Sequence, residues 1–444
     1  MNFSEYKKIK KYNYSKEELL TKINELEKIM NIEKIRNEFP FLKHGLKTYF
    51  DTAATSQKPE KVINSLAAYY KEYCGNPHSR MHYFANISSQ IETSSKERIA
   101  EYINGEKENI IYTKSATEAL NLGISGLYNV LKDNDEILIS ILEHHSNIVP
   151  YQELIKRLKK EKNINVKLVY TYLDETNSFD YSDFKSKINK NTKVIGLTLS
   201  SNVTGETIDI SKINNILKEK EENNNINTDY IKIIDATHAI NHIKIDVKEI
   251  KPSLLAFSTH KIYSPYGLGI CYINDKIKKI IPPLNYGGNM IEFVLEQENN
   301  ILDSSIKYEG GTQNIEAIYG FGYGLDYIES IGISNIEKYI YYLTQYAIQK
   351  LKTIDNIHIF SNEKSSASVS FYTDIIHSHD LATILDIRGY CLRAGHHCAM
   401  PLHKYLNVSS TCRISFGIYN TKEEIDKFVD TLNNIIIKYK EKSK

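Results

Sequence analysis

Two hydrophobic periods alternate along most of the chain. From about residue 50, short runs rich in β-branched and aliphatic residues occur at 110–113, 136–140, 166–170, 193–199, 230–235, 254–258 and 269–273. Stretches of helical period lie between most of them, so the pattern predicts βαβ units. The implied fold is α/β, with a mainly parallel seven-stranded sheet covered by helices on both faces. The polar run 219–228 reads as a loop or a frayed helix end. From about residue 330 the pattern changes to helices with strands at 367–372, 391–393 and 411–416, which predicts a smaller α+β domain. Thr421-Lys-Glu-Glu424 opens its terminal helix with a capping signature. At the other end, Ser15-Lys-Glu-Glu18 resembles a capping box, and Leu19, Leu20, Ile23, Leu26 and Met30 form a helical apolar stripe. The expected organisation is a helical N-terminal extension (1–30), a large domain (31–330, with 31–49 free to pack on the small domain) and a small C-terminal domain (331–444).

Composition narrows the function. The chain has 444 residues, 41% hydrophobic and 25% charged, with a formal net charge of +1. No global field favours nucleic acid or an anionic membrane, so any anion must be held locally. No apolar run has the length needed to span a bilayer. Five cysteines without CxxC spacing favour a reducing compartment and leave a thiol free for chemistry. Residues 1–30 contain no arginine and no continuous apolar segment, unlike a mitochondrial or secretory leader. Bacterial cytoplasm and an organelle such as a plastid both fit.

Ligands of parallel sheets sit beyond the carboxyl ends of the strands, and the chemically interesting residues cluster there. The run Ala256-Phe-Ser-Thr-His-Lys261 places an amine at a strand end among small hydroxyls. A lysine that forms a Schiff base needs such a partly desolvated pocket, and a phosphate beside it needs hydroxyl and backbone donors. A solvated lysine is the plain alternative. Thr113-Lys-Ser-Ala116-Thr117-Glu118 follows a strand and opens a helix expected over 119–128, either a phosphate cradle or an ordinary N-cap. Asp235 ends another strand, where a buried carboxylate calls for a cation: a protonated ring nitrogen, or an Arg or Lys. His144 and His145 follow a third, where an imidazole can lie on a flat ring or join a zinc site. In Arg393-Ala-Gly-His-His-Cys398-Ala-Met-Pro401 the basic neighbours favour thiolate, and zinc through His396, His397 and Cys398 is the rival. Arg413 can clamp a carboxylate or simply pair with an acid. A Gly-x-Gly pattern at 320–324 follows helix-like sequence, the wrong setting for a dinucleotide site.

From about Ile32 onward the chain resembles the class V pyridoxal phosphate (PLP) enzymes, and specifically the group II, or Suf-type, cysteine desulfurases. The resemblance rests on Phe50-Asp51-Thr-Ala-Ala54, the Thr117-Glu118 helix start, the His-His-Ser-Asn-Ile-Val-Pro run to Pro150 and Ser201-Asn202-Val-Thr-Gly205. It continues through Ser258-Thr-His-Lys261, Gly287-Gly288, Glu309-Gly-Gly-Thr312, the short cysteine loop and Tyr419-Asn-Thr421. It implies a PLP-dependent transferase of fold type I. Lys261 would carry PLP, Asp235 would pair with its ring nitrogen and His145 would stack on the ring. Ala116, Thr117, Ser258 and His260 would hold the phosphate, and Thr312 would reach the neighbouring active site of a homodimer. Asn202 and Arg413 would hold the carboxylate of L-cysteine, with Arg393 lining the site. Cys398 would take the substrate sulfur as a persulfide, leaving alanine. A small sulfur-acceptor protein of the Suf system would receive the sulfur for iron–sulfur clusters. No metal is implied.

Several positions depart from the family pattern. The segment Asn76-Pro-His78-Ser-Arg80 is closer to group I, Gln313 replaces a proline, and Thr259 replaces a glycine. His238 replaces a glutamine that bonds the cofactor's phenolate oxygen. An imidazole there either changes its charge between about pH 5 and 8, altering the cofactor's spectrum, or stays neutral and replaces the amide bond. The rival functions are a selenocysteine lyase or other class V lyase, and a catalytically silent scaffold.

Overall fold

The computed structural model describes residues 14–79 and 81–442. Seven strands form the central sheet: β1 (Ile110–Thr113), β2 (Glu136–Ser140), β3 (Lys167–Thr171), β4 (Thr192–Thr198), β5 (Ile231–Asp235), β6 (Leu254–Ser258) and β7 (Gly269–Ile273). Their order is β1-β7-β6-β5-β4-β2-β3, and only β7 runs against the others. β1, β5 and β6 are buried along their whole length, as expected of strands covered on both faces. Reversing β7 allows a direct return from β6. It also brings Gly269 so close to the Ser115 backbone that a Cβ there would collide with it.

Helix α1 (Lys16–Met30) begins in the predicted capping box, Ser15 and Glu18 exchanging bonds of 3.1 and 2.8 Å. Its stripe of Leu19, Ile23, Leu26 and Met30 is buried against α5 (Ile333–Leu351). The following chain reaches a short strand, Thr48–Tyr49, that pairs in parallel with Tyr390–Cys391. Helix α2 runs from Ala116 to Gly126, three residues earlier than the sequence predicts, because the Ser115 side chain caps it and accepts from the Glu118 N–H. Helix α3 (Val149–Lys162) follows with a proline in its first turn. The glycines at 320–324 lie inside α4 (Ile315–Ile331), where Gly320 and Gly324 admit close packing against Leu66, Pro265 and Ser264. They form no strand-to-helix turn.

A second, antiparallel sheet has the order β8-β9-β11-β10, from β8 (Ile357–Ile359), β9 (Ser368–Thr373), β10 (Arg393–Gly395) and β11 (Thr411–Ser415). The strand expected at 391–393 is in fact two, Tyr390–Cys391 and β10. The first joins Thr48–Tyr49 and the second joins β11. Helix α6 (Lys422–Lys442) closes the chain, with Thr421 and Glu424 as its reciprocal cap. No helix among the described residues is long and apolar enough to cross a membrane.

Candidate active site

The ends of β4, β5 and β6 and the start of α2 face the second sheet across a cavity of about 230 Å³. Lys261 sits in the 3₁₀ turn Thr259–Lys261 that follows β6, with its amine enclosed by protein although part of the side chain faces the cavity. Loss of hydration pushes this amine down to about 8. Asp235 opposes the fall, and the guanidinium groups of Arg413 and Arg393 add to it. Roughly a tenth of the amine is therefore neutral at pH 7, far more than for an ordinary lysine. Asp235, buried at the end of β5, accepts the Thr237 N–H at 2.9 Å, and burial raises its pKa. Among the described residues it makes no direct ion pair, and Lys261 is the cation that favours its charged form.

At the α2 end the Ala116 N–H donates to Ser258 Oγ at 2.8 Å, leaving the Ser258 hydroxyl hydrogen to turn elsewhere. The Thr117 and Ser146 hydroxyls are 2.8 Å apart. His260 lies flat on Tyr266, with ring centres 5.0 Å apart, and its Nδ1 is 3.2 Å from Thr55 Oγ1. Burial, reinforced by Lys261 and Lys58, pushes the His260 imidazole down to about 3, so the ring is neutral. Hydroxyls, a helix N-terminus and a neutral imidazole together make a donor-rich wall.

The second sheet supplies the opposite wall. Arg413 on β11 is 1% exposed. Its Nη1 donates to Asn202 O at 2.9 Å and its Nη2 to Asp51 Oδ1 at 3.0 Å, while Nε has no partner among the described residues. The plain alternative for Arg413, pairing with an acid, is thus present, yet the guanidinium still lines the cavity. Arg393 on β10 also lines it and places Nη2 3.7 Å from Cys398 Sγ.

The cysteine loop is held by the body of the protein. His397 and Cys398 both adopt left-handed backbone, at φ 49° and 58°, which is costly for side-chain-bearing residues. Asn202 Nδ2 donates to His397 O at 2.7 Å, and the His145 N–H donates to Cys398 O at 2.8 Å. His145 Nε2 accepts the Met400 N–H at 3.0 Å. Behind the loop a chain of contacts fixes tautomers. His403 Nδ1 must donate to Ala399 O (3.1 Å), so its Nε2 accepts from Thr411 Oγ1 (3.1 Å), and Thr411 in turn accepts from His397 Nε2 (2.9 Å). No group of three or more His, Cys, Asp or Glu is arranged to hold a metal among the described residues.

Of the residues singled out in the sequence, Ala116, Thr117, Asn202, Asp235, His238, Ser258, His260, Lys261, Arg393 and Arg413 all line this one cavity. Two do not. The sequence pointed to His145, but the histidine that lines the cavity is His144, while His145 Nε2 accepts from the Met400 N–H beside the cysteine loop. The cause is local: His144 Nδ1 accepts the Ser146 N–H at 3.1 Å, turning its ring inward and the next residue outward. Burial pushes the His144 imidazole down to about 3. Thr312 is exposed in a separate cleft with Gly267 and Asn285. Arg80 lies outside the described residues.

Sequence reasoning also missed Asp51 and Glu143. Asp51 was visible in the Phe50-Asp51-Thr motif but had no assigned partner. Glu143 is fully buried beneath His144 and accepts from the Thr198 N–H, Asn147 and Ser140, tying two strand ends together. Burial raises its carboxyl to about 8.

These residues fit pyridoxal phosphate. A part-neutral amine faces a buried carboxylate, a donor-rich wall lies at one end, and four buried polar atoms of cavity-lining residues, Ser200 Oγ, Thr237 Oγ1, His238 Nδ1 and Arg413 Nε, lack partners among the described residues. The sequence profile of the class-V aminotransferases matches residues 48–428. A probable cysteine desulfurase of Halalkalibacterium halodurans is 35% identical over 403 residues, 89% of this chain and 96% of that protein. One from Staphylococcus aureus is 34% identical over 410 residues, 90% of this chain and 96% of that protein. Among solved structures, the apo cysteine desulfurase of Thermococcus onnurineus superposes with a TM-score of 0.84 at 30% identity, covering 91% of this chain and 98% of that one. The Escherichia coli cysteine desulfurase CsdA gives 0.82 at 26% identity, with 92% and 98% coverage. The profile match, the full-length relatives and a lysine cavity built at the strand ends agree: the chain belongs to the aminotransferase class-V family.

Proposed function

We propose that this chain is a PLP-dependent cysteine desulfurase of the Suf type, a sulfurtransferase that converts L-cysteine to L-alanine and leaves the sulfur as a persulfide on Cys398. The observation that carries the reading is the placement of Cys398. Its sulfur lies 3.7 Å from an Arg393 guanidinium that also lines the Lys261 cavity. The short cysteine loop supports the Suf subtype, and the bacterial relatives named probable cysteine desulfurases support the activity, whose usual role is to supply iron–sulfur assembly. The same reading makes the protein a homodimer in which Thr312 completes the partner's phosphate site, with a small Suf acceptor protein receiving the sulfur in the cytoplasm.

Lys261 would hold the cofactor covalently, Asp235 would keep its ring nitrogen protonated, and His144 would cover the ring. Ser258, Thr117, Ala116 and His260 would bind its phosphate. Bound PLP supplies an electron sink for the pair left on a substrate carbon. Arg413, through Nε and its remaining N–H groups, would orient the substrate carboxylate, and Lys261 would take and return a proton at the substrate carbon. Cys398 Sγ forms a bond to the substrate sulfur as the carbon–sulfur bond breaks. The β-carbon left by the sulfur keeps the bonding pair and takes the proton given up by the Cys398 thiol, while Lys261 returns to the α-carbon the proton it took, so cysteine plus thiol becomes alanine plus persulfide. The test is product analysis: alanine should appear from cysteine in step with persulfide on Cys398, and alanine without that persulfide would sink the reading.

Arg413→Lys should keep PLP bound and raise KM for cysteine roughly tenfold or more, because a point charge cannot reproduce the planar fork. Initial rates over a range of cysteine concentrations measure this, and an unchanged KM would remove Arg413 from carboxylate binding. His238→Gln should give a pH titration of the cofactor's visible band that superimposes on the parent's. Burial above all, then His242, Lys261 and Arg413, hold the His238 imidazole well below its usual range, so it stays neutral throughout. A titration displaced between the two proteins would show that His238 does change charge.

A further inference from the structure

A neutral histidine carries one ring hydrogen, and its neighbours decide which nitrogen holds it. His238 is buried, and its Nδ1 lacks a partner among the described residues in a ring that lines the Lys261 cavity. Its Nε2 lies 3.2 Å from Ser368 Oγ, and among the described residues that contact is the only one made by the Ser368 hydroxyl. Two arrangements are open. If Nε2 donates to Ser368, the hydroxyl hydrogen has no acceptor and Nδ1 offers a bare lone pair to the cavity. If Ser368 donates to Nε2, the hydroxyl is satisfied and Nδ1 carries a hydrogen into the cavity. The first arrangement leaves two buried groups unmade and the second leaves one. A buried polar group without a partner is costly enough to bias the tautomers roughly tenfold or more.

We propose that Ser368 fixes the tautomer of His238 so that Nδ1–H points into the Lys261 cavity as a standing hydrogen-bond donor. Ser368 touches neither substrate nor cofactor in this scheme and is a positioning residue. It lies on β9 of the second sheet, whose neighbour β11 carries Arg413 opposite Ser370. The groups facing the His238 ring reinforce its neutrality: His242 packs edge-on at 5.6 Å, and Lys261 and Arg413 are cationic neighbours. An amide side chain brings its own N–H to such a site. A histidine brings one only if a second residue selects the nitrogen, and Ser368 does so from the other sheet. The natural recipient is an anionic or phenolic oxygen, which under the proposed function is the phenolate oxygen of PLP. That identification rests on the proposed function, whereas the tautomer does not.

The test uses the full chain with ¹⁵N-labelled histidine, loaded with PLP and again free of it. Long-range proton–nitrogen correlations read the ring, with His238 assigned by the resonances lost in His238→Gln. Nδ1 should be of protonated, pyrrole type and Nε2 of bare, pyridine type in both forms. Ser368→Ala should mix or reverse that pattern and loosen PLP by roughly 3- to 10-fold, a shift that simple loss of packing would not produce in the ring nitrogens. A parent protein with a protonated Nε2, or a Ser368→Ala protein with the parent's pattern, would overturn the proposal. Should Ser368→Ala fail to fold, the parent's pattern alone decides. Because the PLP-free spectrum is independent of activity, failure of the desulfurase reading would show separately, as absence of alanine.

Discussion

Lys261→Ala is expected to abolish alanine formation, lowering turnover by about three orders of magnitude or more, and to remove the visible band of lysine-bound cofactor. Two roles disappear together. One is the covalent hold on PLP, and the other is proton transfer at the substrate carbon, itself worth about 10²–10⁴-fold in typical enzymes. Borohydride reduction of the parent followed by peptide mapping should place the pyridoxyl group on Lys261. Its appearance on another lysine would refute the assignment. The lowered pKa adds a pH signature. The attacking form is the neutral amine, so its fraction rises as pH increases towards and through about 8 and then levels. PLP uptake by cofactor-free protein should follow that rise. A flat rate between pH 6 and 9 would mean that Lys261 deprotonation does not limit capture.

Cys398→Ala should separate binding from sulfur transfer. The Asp235, Ser258 and Lys261 side of the cavity makes no bond to the Cys398 side chain, so PLP should remain bound with its band in place. Release of sulfide from cysteine should fall by about 10³-fold or more, as expected when a nucleophile is removed from a concerted set of groups. The other cysteines provide the control. Burial pushes the Cys271 thiol well above its ordinary range and the Cys412 thiol up to about 12, so both are poor nucleophiles at neutral pH. Their replacement should leave the chemical step intact. Full desulfurase activity in Cys398→Ala would exclude the persulfide route, whereas retained action on selenocysteine alone would not.

The strands were legible because their sequences carry the constraint locally. Runs such as Leu254–Ser258 and Ile231–Asp235 are apolar on every face and end in polar residues, so a predicted strand and its active end coincide. Most of the cavity followed, since parallel strands bring their carboxyl ends to one edge. The start of α2 lies three residues before the expected one because Thr113, Ser115 and Thr117 all offer a capping hydroxyl in sequence, and only the fold selects Ser115, whose side chain turns back to the Glu118 N–H. The break between Tyr390–Cys391 and β10 depends on two different partners, Thr48–Tyr49 and β11, neither adjacent in the chain.

What the sequence by itself determined is the inventory: an α/β sheet, a lysine, a carboxylate, an arginine and a cysteine at positions where such groups can react. Residue type and period are local properties, and they suffice for that much. Orientation was decided only in three dimensions. His144 and His145 are the same residue type one position apart, and a single side-chain-to-backbone bond sends one ring into the cavity and the other to the cysteine loop. Arg413 and Asp51 are 362 residues apart, and their ion pair exists only because the second sheet folds back onto the start of the chain. The left-handed turn at His397 and Cys398 has no glycine to announce it. It is held there by bonds from Asn202 and His145 of the large sheet's loops, so the position of the Cys398 sulfur is a property of the packing and not of the loop.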